Sequence, residues 1–210
     1  MVSDNIWIFR IVEIVSCICI CFSLFFLPYF FMQDKFSLNT RYLKLIEFIP
    51  ISAFGIVVRL TSENGVNWKL AFIIGGCFAV IEKALLIANR FPLDRILLGT
   101  DVFLIIGGLG YLFNVQFILN IYLFLFHATL FASLLIVGVL TTFFTDRGFI
   151  GVDHHQRNRV ILFSLFLLGA GVAAFLVSYI FRGDYMLAGI LPFTGMLVVN
   201  WILAKKMRDN

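Results

Sequence analysis

The chain has 210 residues, 61% of them hydrophobic and 13% charged, with a formal net charge of +4 and a mean hydropathy of +1.02. A soluble domain carries about 45–50% apolar and about 25% charged residues. This composition cannot clothe a globule in polar surface, which excludes a water-soluble enzyme or nucleic-acid-binding module and predicts an integral membrane protein.

A helix crosses the hydrocarbon core with roughly 20 mostly apolar residues. That ruler places seven spans, at about 6–32, 43–60, 70–89, 96–113, 116–143, 159–181 and 185–204. The runs do not alternate with period two, so helices are expected rather than barrel strands. The expected fold is all-α, a polytopic helical bundle forming a single integral membrane domain over 1–210. The first run, with "SCICICFSLFFLPYFF", lacks a small-residue cleavage site and reads as a retained span. Its Cys17, Cys19 and Cys21, like Cys77, read as small hydrophobes rather than metal ligands.

With seven spans, one side receives Lys35, Arg41, Lys44, Arg90, Arg95, Arg147, Arg157, Arg159, Lys205, Lys206 and Arg208. The other receives Arg10, Arg59, Lys69 and Arg182. The positive-inside rule then predicts an external N-terminus and a cytoplasmic C-terminus. Helix contacts are expected at "IIGGCFA", "IIGGLGYLF" and "LLGAGVAAF", whose small residues allow close approach. Pro50 and Pro192 mark expected kinks.

Ionisable residues at membrane depth are costly and point to sites. Lys83 lies seven residues before Arg90, and Asp101 six after Arg95. At about 1.5 Å per residue both sit roughly 10 Å in from the same side, on helices held together by "RFPLDR". A Lys83–Asp101 pair is expected, with Glu82 rotated about 100° away on its helix. Glu82, Lys83, Asp101 and His127 form the candidate intramembrane polar cluster, either lining a cavity or fixing helix register. Glu47 is expected to reach the headgroups, and Arg10 and Glu13 to pair locally near the outer interface.

"VDHHQRNRV" (152–160) is one residue from the DHHC signature of membrane acyltransferases, but Gln156 stands where that chemistry needs its Cys nucleophile. Adjacent Asp153, His154 and His155 lack metal-ligand spacing, so a basic cytoplasmic loop near lipid phosphates is expected, with no metal. Lys205 and Lys206 fall only at the end of the last span, which rules out a retinal protein. No Pro-Gln pair supports a small sugar carrier. A lysoplasmalogenase-type hydrolase is matched only by intramembrane Asp101 and His127, without that family's early Lys-Pro.

From "IEFIPISAFGIV" through "IIGGLGYLFNVQFI", "ASLLIVGVLTTFFTDRGFIGV" and "RNRVILFSLFLLGAGVAAF" to the basic end "ILAKKMRDN", residues 43–204 resemble the intracellular septation protein A family of small bacterial membrane proteins. Residues 1–42 add a span that this family usually lacks, and "TDRGFIG" replaces a more basic, Pro-containing segment. The resemblance implies a protein of the bacterial cytoplasmic (inner) membrane that serves cell-envelope maintenance, division or membrane-complex assembly, and it brings no catalytic residues. Expected partners are the lipid bilayer and a membrane protein or second copy of the chain, with no cofactor and no nucleic acid. Two other readings use the intramembrane residues. One is a small transporter coupling through Glu82, Lys83 and Asp101, and the other a membrane lipid hydrolase using Asp101 and His127.

Overall fold

The computed structural model describes residues 46–61, 67–89, 91, 93–152, 155–184 and 186–209. The expected first span, the CICIC run and the Arg10–Glu13 pair lie outside the described residues, as do Asp153 and His154. The described residues are mostly helical. The α-helices are α1 (Ile49–Thr61), α2 (Trp68–Ala88), α3 (Arg95–Leu112), α4 (Gln116–Leu125), α5 (Ala128–Phe144), α6 (Arg157–Ile180) and α7 (Leu191–Asp209), the last preceded by a π turn, Met186–Ile190. Glu47–Asn210 cluster as one compact unit.

Four of these helices are long and apolar enough to cross a membrane: α2, α3, α6 and the continuous Met186–Arg208 stretch. The α4–α5 pair adds a fifth if it counts as one bent span. Two of the seven expected spans therefore change character. In place of 43–60 stands α1, whose 13 residues cover only about 20 Å of the roughly 30 Å core. The run 116–143 is not one helix: it breaks after Leu125 and turns through 108°.

The cause of the break lies in the backbone. Phe126 adopts φ 52°, ψ −122°, in the left-handed half of the map where a non-glycine residue is unusual. Its ring packs edge-on against Trp68, with centroids 5.8 Å apart, and against His127 at 4.4 Å. The upstream turn is conventional. Asn114, with φ 53°, closes α3, and the Val115 N–H donates back to the Gly110 carbonyl at 2.9 Å, a Schellman arrangement.

Pro50 begins a helix, whereas Pro192 lies within the continuous Met186–Arg208 stretch. Pro50 sits in the first turn of α1, where its missing N–H costs nothing. Pro192 is the second residue of α7, and the π turn immediately before it accommodates the absent donor.

Small residues set the α2–α3 and α3–α5 contacts, as lipid-solvated helices require. A Cβ on Gly76 would lie 3.0 Å from the Leu104 carbonyl oxygen, one on Gly108 2.9 Å from that of Phe72, and one on Gly99 2.9 Å from the Leu134 Cα. Ser133 of α5 stitches the second contact, its hydroxyl donating to the Gly99 carbonyl at 2.9 Å.

The connection after α5 is not merely solvated. Phe149 and Ile150 are buried, and their backbone N–H groups donate to Ser164 Oγ of α6 at 3.0 and 3.4 Å. Ser164→Ala leaves those buried donors unpaired, at an expected cost of about 1 kcal/mol. A lowered melting temperature of the detergent-solubilised protein checks this.

Candidate functional site

The α2–α3 hairpin carries the charges. Lys83 Nζ lies 2.6 Å from Asp101 Oδ2 and 2.8 Å from Glu82 Oε1, and all three side chains are buried. The pairing predicted from equal depth is present. Glu82, expected in the same cluster though rotated about 100° along the helix, pairs directly with Lys83. One cation thus serves two carboxylates, while Glu82 Oε2 has no hydrogen-bond partner among the described residues.

Glu47 also departs from expectation. It is buried, and its Oε1 accepts the Asp94 backbone N–H at 3.2 Å instead of reaching the headgroups. Asp94 in turn caps α3, its Oδ1 accepting from the Ile96 and Leu97 N–H groups at 2.9 and 3.3 Å. The segment before α1 is thereby tied to the start of the helix that carries Asp101.

His127 is placed apart from this triad. It follows the α4–α5 break and lines a cavity of about 180 Å³. The walls are Phe54, Trp68, Phe72, Phe103, Tyr122 and Phe193 with other apolar residues; Glu82, Lys83 and Asp101 are not among them. The structure therefore brings together three of the four residues expected to form a polar cluster and leaves the fourth in an aromatic chamber.

That chamber is the feature sequence reasoning missed. Phe72 is its hub, with ring centroids at 4.9 Å from Phe54, 5.2 Å from Phe103 and Tyr122, and 5.6 Å from Tyr111. Gly107 admits it, since a Cβ there would overlap the Phe72 ring. Two of the hydroxyls in the walls are occupied internally. The Tyr122 hydroxyl donates to the Phe103 carbonyl at 2.6 Å, and the Thr100 hydroxyl to the Ile96 carbonyl at 3.1 Å.

No family model, curated protein or solved structure matches the chain. Function must therefore be argued from the site. Among the described residues no group of three or more His, Cys, Asp or Glu side chains is arranged to hold a metal ion. In the 152–160 motif, His155 is exposed. Arg157 pairs with Asp146 at 2.8 Å and donates to the Phe143 carbonyl at 3.1 Å, closing the α5–α6 connection.

Proposed function

We propose that this chain is a non-enzymatic protein of the bacterial cytoplasmic membrane, serving envelope maintenance, division or membrane-complex assembly as a helix-presenting scaffold. The carrying observation is the closure of the intramembrane charges on one another. Lys83 lies 2.6 Å from Asp101 and 2.8 Å from Glu82, and the cavity that contains His127 includes none of the three. A coupling site needs a path from its carboxylate to one side of the membrane. A hydrolytic Asp–His pair needs both groups on one chamber. Among the described residues, Asp101 is engaged by Lys83 while His127 lines a separate cavity, which favours the scaffold reading over these two.

A partner face supports the scaffold reading. Gly169 and Ala173 are exposed on α6 with Leu165, Phe166, Val172 and Leu176 around them, and no atom stands within 4 Å of a Cβ built on Gly169. Gly171, on the opposite side, is used inside the bundle against Leu135. Small residues four apart on a lipid-facing surface suit close approach of another transmembrane helix, from a partner protein or a second copy.

Orientation follows from charge. With successive spans alternating in direction, as the sequence reading has them, Arg95, Arg147, Arg157, Arg159, Lys205, Lys206 and Arg208 fall on one side, against Arg59, Lys69 and Arg182 on the other. The richer end is assigned to the cytoplasm.

Deleting the gene is expected to produce an envelope or division defect that the wild-type copy rescues. Gly169→Ile, which bars a partner helix without touching the core, should fold and reach the membrane yet fail to rescue. Full rescue by Gly169→Ile would remove this face from the account.

A further inference from the structure

We propose that the aromatic chamber is a binding site for one small neutral molecule of the phenol class, a single six-membered ring whose hydroxyl meets His127. This site is additional to the scaffold reading and does not depend on it. Size is the first support. A dry apolar cavity of about 150 Å³ accepts benzene, and the chamber offers about 180 Å³. One substituted ring fills it, whereas drug-sized ligands need pockets of about 300–1,000 Å³.

The walls supply the second support. The rings of Phe54, Phe103, Tyr111 and Tyr122 stand 4.9–5.6 Å from that of Phe72, at interplanar angles from 24° to 80°. Rings set at such different angles offer a further ring both faces and edges. Offset-stacked and edge-to-face contacts are the ones aromatic pairs prefer.

The third support is the polar lining. No carboxylate, Lys or Arg is among the lining residues; the polar side chains are Thr100, Tyr111, Tyr122, Trp68 and His127. The hydroxyls of Thr100 and Tyr122 donate to backbone carbonyls, and that of Tyr111 makes no hydrogen bond to a described residue. A neutral imidazole donates at one nitrogen and accepts at the other, and a phenol hydroxyl does both. A plain hydrocarbon would make no use of these groups. A cation would bring its charge to membrane depth with no carboxylate to meet it. A neutral ring with one hydroxyl suits the volume, the rings and the imidazole together. Leu123 and Phe126 line the chamber and are exposed, so a ring dissolved in the bilayer reaches it from the side.

Fluorine NMR of para-fluorophenol titrated into the full-length protein in detergent micelles tests this. A saturable bound signal is expected above the linear partition into micelles. Gly55→Leu should abolish it, since Leu enters the chamber from a lining position with no atom within 4 Å of its Cβ. Should that variant fail to fold, Val58→Phe narrows the same chamber. His127→Phe keeps a ring against Phe126. It should weaken para-fluorophenol roughly five-fold, the weight of one neutral hydrogen bond, and leave fluorobenzene unchanged. Displacement of para-fluorophenol by decylhydroquinone would assign the ring to a tailed, lipid-soluble quinol, and no displacement would assign it to a free phenol. No saturable signal in the wild type, or one unchanged in the filled variants, would overturn the site. Equal affinity for para-fluorophenol and fluorobenzene would overturn the His127 contact, and displacement by tetramethylammonium would overturn the neutral ring in favour of an organic cation.

Discussion

Lys83→Met is expected to destabilise the folded bundle by about 3–5 kcal/mol, the cost of removing one partner from a buried ion pair. Both Asp101 and Glu82 lose their common cation, and neither is near water: the side chains of Lys83, Glu82 and Asp101 are 10%, 4% and 2% exposed. Asp101→Asn alone should cost less, because Lys83 keeps Glu82 at 2.8 Å. Neutralising the whole triad, with Glu82→Gln, Lys83→Met and Asp101→Asn together, should recover most of the loss, since apolar or neutral replacements of a buried ion set are often tolerated. Unfolding of purified protein in mixed detergent reads each term. A double-mutant cycle between Lys83→Met and Asp101→Asn should show coupling beyond about 1 kcal/mol, above the range for independent sites.

Phe72→Ala carries the second large effect, about 2–3 kcal/mol. In water, a Phe→Ala core substitution costs about 3–5 kcal/mol, of which part is lost transfer from water and part is the void left behind. Lipid is as apolar as the core, so in a bilayer the transfer part largely vanishes and packing decides. Packing is dense here. Phe72 is 5% exposed and contacts the rings of Phe54, Trp68, Phe103, Tyr111 and Tyr122, with Gly107 laid against its ring. The void would merge with the existing chamber, so the neighbours cannot collapse onto it. A lower unfolding midpoint together with weakened near-ultraviolet ellipticity of the aromatic cluster is the expected result. Phe72→Leu should retain most of the stability.

What could be read in the sequence was what depends on length and depth. Four expected spans coincide with long helices because each is a continuous apolar run between polar connections. The Lys83–Asp101 pair was legible because both positions are counted from one short loop. Glu82 was expected in the cluster, but its direct contact with Lys83 was not legible: 100° per residue places a Cβ, whereas a lysine chain reaches well beyond its own. Glu47 was misread because its partner, the Asp94 N–H, is far along the chain and belongs to a backbone group that no side-chain pattern advertises.

The break at Phe126 leaves no trace in "LNIYLFLFHATLF", where neither Gly nor Pro interrupts the run. A left-handed phenylalanine is held by tertiary contacts with Trp68 and His127, not by local propensity. The chamber is invisible for a related reason. Its aromatic residues come from α1, α2, α3, α4 and α7, and in a chain with 26 Phe none of them stands out by type.

The central claim is that the intramembrane charges hold helices together and carry no substrate or proton. The most direct measurement is complementation of the deletion strain by the neutral triad, Glu82→Gln, Lys83→Met and Asp101→Asn combined, with membrane abundance and folding matched to wild type. Rescue equal to wild type is the predicted result. A folded, abundant triad variant that fails to rescue would contradict the account and make Glu82, Lys83 and Asp101 the working site.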